Sequence, residues 1–178
     1  TFMAAFHVIV LVFSRDLGSA VIFFVVYLIM LFVATKNYFY LIAGVLAGCI
    51  AAIVASKLFS HVQVRIQAWR DPWVDIDGAG YQVTQSLFAI GTGGWFGMGI
   101  YQGDPTAIPY VEADFIFSAI AEELGVFFSI GLILVCVSCF VAIMYVAMRL
   151  KNDYYRLIAV GLAVTYIFQI FLTIGGGT

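Results

Sequence analysis

Four carboxylates fall within residues 110–125 of this chain, and three of them belong to one apolar helical pattern. In Tyr-Val-Glu-Ala-Asp-Phe-Ile-Phe-Ser-Ala-Ile-Ala-Glu-Glu-Leu-Gly (110–125), Asp114 opens a helical pattern, and Glu122 and Glu123 lie inside it. Ionisable groups at bilayer depth cost roughly 2.5–3.5 kcal/mol each on insertion scales, so those that occur there are usually paired or functional. Asp114 has two compatible readings. As a helix N-cap it would accept from the exposed N–H groups of the first turn. As a general base it would take a proton from a hydroxyl, because a carboxylate partly withdrawn from water holds a proton more readily. Helical spacing places Glu122 about 80° around from Asp114 and about 12 Å further along the axis. It either lines the same cavity at greater depth or is a buried acid bonded to another helix. Glu123, about 100° further round, is expected to point to a neighbouring helix.

Further candidates lie upstream. Arg65 and Arg70 are expected to flank a tight turn at Asp71-Pro72-Trp73. Paired guanidinium forks suit phosphate, here a lipid-linked pyrophosphate; the other reading pairs them with Asp71, Asp75 or Asp77, or with lipid headgroups. Those three acids offer oxygen to a divalent cation but lack EF-hand spacing, so a solvated turn competes. Gln82 and Gln85 follow Tyr81 at helical spacing and could bond sugar hydroxyls or simply make a polar surface. Gly91-Thr92-Gly93-Gly94-Trp95-Phe96-Gly97-Met98-Gly99 has neither the Gly-Lys-Ser/Thr ending of a P-loop nor a G-x-G-x-x-G pattern. Its glycines predict close helix packing or a sharp re-entrant bend, with a sugar contact as the alternative. Asp16 sits at a membrane edge beside Arg15, as a local ion pair or as cavity lining. Cys136 and Cys139 have CxxC spacing, but on an apolar helix they read as small packing residues. Dispersed His and Cys make no zinc site.

These residues must be carried by membrane elements. The chain is 64% hydrophobic and 10% charged, with a mean hydropathy of +1.08, a membrane composition. Residues 17–35, 37–56 and 124–148 contain no Asp, Glu, Lys or Arg, and about 20 apolar residues suffice to cross a bilayer. Residues 1–14 and 157–178 are also apolar. The expected spans are about 1–13, 17–35, 38–58, 115–148 and one starting near Arg156. Five crossings make an all-α, polytopic helical bundle, since continuous apolar runs argue against a barrel. Thr1 falls in mid-pattern and the chain stops at Gly-Gly-Gly-Thr, so it reads as an internal piece of a larger protein. Residues 59–113 form a large connection, rich in aromatic residues, expected to consist of polar turns followed by a helical stretch over 81–90 at the outer membrane interface. The turns near Lys36 and at 149–156 hold four bases and one acid, against four bases and seven acids at 14–16 and 57–114. The positive-inside tendency puts the first pair in the cytoplasm.

Taken together, these motifs resemble the SEDS family (shape, elongation, division and sporulation), that of RodA, FtsW and SpoVE. Ser14-Arg15-Asp16-Leu17-Gly18-Ser19-Ala20 is similar to its Gln-Pro-Asp-Leu-Gly-Thr-Ala connector. Asp71-Pro72-Trp73, Gly80-Tyr81-Gln82, Gln85-Ser86-Leu87 and Ala89-Ile90-Gly91-Thr92-Gly93-Gly94 resemble its loop signature. Asp114-Phe115-Ile116-Phe117 with Glu122-Glu123-Leu124-Gly125 resembles its most diagnostic block. The likeness runs through all 178 residues as part of one membrane domain, about five spans of a ten-helix protein, with 59–113 as its large extracytoplasmic loop.

The resemblance implies a multi-pass protein of the bacterial inner (cytoplasmic) membrane with an outward-facing site. It implies a peptidoglycan glycosyltransferase that polymerises lipid II, the undecaprenyl-pyrophosphate-linked disaccharide-peptide, in cell-wall synthesis during shape maintenance or division. Asp114 falls on the aspartate regarded as catalytic. Arg65, Arg70, Gln82, Gln85, Glu122 and Asp16 are the expected substrate contacts. A divalent cation (Mg²⁺ or Mn²⁺) would assist, and a class B penicillin-binding protein transpeptidase would be the partner; no nucleic acid is expected. Glu112-Ala113 stand where the family often has His-Thr. The family's earlier Glu- and Lys-bearing segment lies outside this chain. The rival function is a lipid II flippase or transporter, for which intramembrane acids are typical. A third is a scaffold that only recruits cell-wall enzymes.

Overall fold

Apolar runs of this length can satisfy their backbone groups away from water only as helices or closed barrels, and the described residues contain helices and no strand. The computed structural model describes residues 17–109, 111–112 and 114–177. Among the described residues six α-helices follow in order: α1 (Leu17–Thr35), α2 (Tyr38–Leu58), α3 (Ser60–Arg70), α4 (Tyr81–Gly93), α5 (Ile116–Arg149) and α6 (Asp153–Gly177). Short 3₁₀ turns occupy Pro72–Asp75 and Pro105–Ala107. Among the described residues four helices, α1, α2, α5 and α6, are long and apolar enough to cross a membrane. The expected span at 1–13 and Asp16 lie outside the described residues.

The chain divides into two compact units, one of residues 1–51 with 136–170 and one of 52–135 with 171–178. In the first unit, Ala147 of α5 and Val160 and Val164 of α6 are buried. Val25, Val26, Ile29 and Val33 of α1 pack on them. Gly44 and Gly48, one helical turn apart on α2, leave room for Leu28 and Phe24 of α1, the small-xxx-small device that lets membrane helices approach. Both turns of this unit use an asparagine. The side-chain oxygen of Asn37 accepts from the Phe39 N–H (2.9 Å), and that of Asn152 accepts from the Tyr154 N–H (2.9 Å). The Arg156 N–H donates to the Asn152 carbonyl (3.0 Å), and the Arg156 guanidinium pairs with Asp153 (2.6 Å). Asn152 therefore caps the start of α6, and the helix begins at Asp153, three residues before the expected Arg156. Replacing Asn152 by Ala removes the cap and is expected to cost about 1 kcal/mol, measured as a lower thermal midpoint of the detergent-solubilised protein.

The second unit differs from expectation at its start. Residues 60–70 form helix α3, where polar turns were expected. No Gly or Pro interrupts the chain until Pro72, which sets the break. Turn and helix are then fixed locally. Asp75 accepts from the Ala79 N–H through Oδ2 (3.0 Å) and from the Gly80 N–H through its carbonyl (3.0 Å). The Trp73 ring lies against Phe88 of α4, centroids 5.8 Å apart. The Trp69 indole N–H donates to the Gly175 carbonyl near the end of α6 (3.0 Å). Ala89 of α4, Ile108 and Phe115 form the buried apolar cluster, with Val111 against it.

Candidate active site and the family it defines

Gly125 decides the geometry here. Its φ of 82° and ψ of 173° break α5 into a short helix ending at Leu124 and a long one starting at Val126. The carbonyls of Glu122 and Glu123, which an unbroken helix would pair with residues 126 and 127, are released. They accept instead from the N–H groups of Met98 (2.9 Å) and Gly99 (3.0 Å). The freed N–H groups of Val126 and Phe127 donate to the carbonyls of Gly94 (3.0 Å) and Trp95 (3.3 Å). Four reciprocal backbone bonds thus join the glycine-rich segment to the break, satisfying groups that cannot be left bare in an apolar setting. The glycines are the condition for this approach. A Cβ on Gly93 would meet the Ala121 carbonyl oxygen, and one on Gly97 would meet the Glu123 carbonyl oxygen. The expected close packing is present.

The two acids bind the same connecting loop through their side chains. Glu122 is buried, and its Oε1 accepts from the Asp104 N–H (3.4 Å). Glu123 is half-buried and its Oε1 accepts from the Tyr101 N–H (3.2 Å). Glu123 therefore reaches a loop, where a neighbouring helix was expected. The loop continues through Asp104, whose Oδ1 accepts from the Thr106 hydroxyl (2.5 Å), to Asp114.

Asp114 is exposed. Helix α5 begins two residues later, and the Phe115 carbonyl accepts from the N–H groups of Ser118 (3.0 Å) and Ala119 (3.4 Å). Phe115 thus occupies the cap position, and no capping bond from Asp114 is seen among the described residues. The helical relation expected between Asp114 and Glu122 does not hold either, because Asp114 precedes the helix. The carboxylate of Glu122, by contrast, turns in toward Gly103 and Asp104. One polar contact was not anticipated: the buried hydroxyls of Ser86 on α4 and Ser118 on α5 are hydrogen-bonded to each other. The available signal was two serines within apolar helical patterns, Ser118 standing one turn before Glu122.

Arg65 and Arg70 both lie on α3, before the turn they were expected to flank. Five residues apart, they project about 140° from each other. Neither forms an ion pair with Asp71, Asp75 or Asp77 among the described residues. Arg70 lines a groove of about 600 Å³ with Ser56, Gln63, Ile66, Gln67, Asp71 and Val74, and Arg65 does not. Gln82 and Gln85 are half-buried on α4. Neither lines the groove at Arg70. Among the described residues no group of three or more His, Cys, Asp or Glu is placed to hold a metal ion. The Asp75 Oδ2 is bonded within its own turn.

A multi-pass helical membrane protein whose broken helix clasps an acid-bearing loop is the class that fold and site define. The chain belongs to the FtsW/RodA/SpoVE family: that family's model, described as a cell cycle protein, matches residues 1–178. It is 34% identical over 169 residues to the peptidoglycan glycosyltransferase RodA of Mycobacterium tuberculosis, covering 95% of this chain and 36% of the relative. Identity to the probable peptidoglycan glycosyltransferase FtsW of Neisseria gonorrhoeae is 36% over 182 residues, covering 97% of this chain and 38% of that protein. The corresponding protein of Aeromonas salmonicida is 35% identical over 178 residues, covering 96% and 44%. The chain thus spans well under half the length of these curated relatives.

Proposed function

We propose that this chain is the acid-bearing part of a lipid II polymerase of the bacterial inner membrane, with its site facing outward. The observation that carries the reading is Asp114, an exposed carboxylate on a loop held by buried elements. Two relatives are named peptidoglycan glycosyltransferases outright or as probable members of that class, which supports it. Sidedness has its own support. Successive crossings alternate sides, so α1–α2 and α5–α6 turn on one side and the Asp114 loop lies on the other. The turns carry the excess of bases, which favours the cytoplasm.

In this mechanism Asp114 accepts the proton of the acceptor sugar's C4 hydroxyl. The oxygen forms a bond to the donor's anomeric carbon as the bond from that carbon to the pyrophosphate oxygen breaks. The pyrophosphate leaves with the electron pair, still attached to its polyprenyl chain, and one base without a second nucleophile gives inversion. Arginine at the groove stabilises the departing charge. Arg70 is better placed for this than Arg65, because it borders a groove that also offers Gln63 and Gln67. A transpeptidase of the class B penicillin-binding type is the proposed partner that crosslinks the product.

The test uses the full-length protein, purified and reconstituted with lipid II. Glycan polymer is the expected product. Translocation of labelled lipid across vesicles without polymer would favour the flippase, and neither would leave a scaffold. Replacing Arg70 by Ala is expected to lower kcat/KM for lipid II about tenfold, the order of one lost charged hydrogen bond, and an unchanged kcat/KM removes Arg70 from the donor site.

A further inference from the structure

The loop leading to Asp114 is fastened by the helix that follows Asp114. Its glycine-rich beginning is bonded to the α5 break through Met98 and Gly99. Its middle is bonded to Glu122 through the Asp104 N–H. Its far end is clamped where Ile108 and Phe115 pack on Ala89. Asp114 sits just before that last clamp and is exposed.

Resting on the polymerase reading, we propose that Glu122 is a positioning residue for the transfer step. It acts by fixing Gly103 and Asp104, and through them the arc that carries Asp114. Glu122 is only 7% exposed. Its carboxylate carbon lies so close to Gly103 that a Cβ there would stand 2.9 Å from it, so backbone and acid are in direct contact. Its Oε1 holds the Asp104 N–H, while its Oε2 is buried without a partner among the described residues. The effect of the Glu122 side chain is to hold the loop at one place. Asp104 passes the constraint on, since its own carboxylate holds Thr106 at the short turn before Ile108. Glu123 makes the parallel bond to Tyr101, but from a half-exposed position where water competes.

The experiment compares Glu122→Ala, Glu122→Gln and Asp114→Asn in the full-length, reconstituted protein. Gln keeps the volume and the acceptor oxygen facing Asp104. Glu122→Ala is expected to lower kcat between tenfold and a hundredfold, the scale of a small misplacement of a reacting group, with KM within about twofold. Amide exchange should quicken in residues 99–108 and not in α6. Glu122→Gln should restore kcat to within about threefold. The proposal is overturned if Glu122→Ala leaves kcat per folded molecule unchanged, if exchange quickens throughout the chain, or if Gln is as damaging as Ala. If Asp114→Asn also polymerises normally, it is the polymerase reading that fails.

Discussion

Asp114→Asn in the full-length protein is expected to abolish glycan polymerisation without weakening the fold. The amide has almost the size and shape of the carboxylate but cannot accept a proton at neutral pH. A positioned general base contributes about 10²–10⁴-fold to a rate, so turnover should fall by that order. Stability should stay within about 0.5 kcal/mol, as for most surface changes away from special features. Asp114 is exposed, and no bond from its carboxylate is seen among the described residues. Its role as a cap is taken by Phe115, so nothing structural opposes the change. Asp114→Glu retains a base one methylene out of place and should fall between Asn and the parent. The measurement is polymer yield over time, with thermal unfolding run on the same samples. Translocation of lipid II that survives in Asp114→Asn while polymer disappears would separate the polymerase from the flippase. Normal polymer from Asp114→Asn would remove the proposed chemistry.

How far the sequence reveals this arrangement depends on the range of the interactions involved. The long helices are legible because charge-free apolar runs leave the backbone no alternative. The asparagine turns and Asp71-Pro72 are legible because capping and proline geometry act within a few residues. The start of α4 at Tyr81 is equally local. The break at Gly125 is not. A lone glycine inside an apolar helical pattern is usually tolerated, and what makes this one a break is a segment 26–31 residues earlier that supplies the bonds the helix gives up. The glycine-rich stretch announced close approach without naming the partner. For the same reason helical spacing misplaced Glu122 relative to Asp114. The wheel assumes that both residues lie on one helix, and the chain begins that helix only at Ile116. Arg65 and Arg70 were read as a pair from their nearness in sequence, whereas an interval of five residues on α3 sends them to different faces.

Gly125→Ala should be severely damaging for so small a change. The backbone at 125 lies where essentially only glycine is at ease, a strain of about 1–3 kcal/mol for any other residue. A Cβ there would also run into the backbone nitrogen of Gly97 and the carbonyl carbon of Phe96. These are main-chain atoms held by the reciprocal bonds, so they cannot swing aside as a side-chain tip would. Relief requires the 94–99 segment to move away, which strands the Glu122 and Glu123 carbonyls and the Val126 and Phe127 N–H groups. Two such stranded groups at about 1–3 kcal/mol each would rival the whole stability of a domain when added to the strain. The full-length protein carrying Gly125→Ala is therefore expected to melt far below the parent in detergent, with polymerisation lost alongside. Gly91→Ala supplies the matched control, since the same methyl there meets nothing within 4 Å and the position is inside α4. In a helix interior that change stabilises by about 0.5–1 kcal/mol, so the two substitutions should move the midpoint in opposite directions. An unchanged midpoint for Gly125→Ala would mean that α5 runs through position 125 unbroken, and the clasp that holds the Asp114 loop would have to be abandoned.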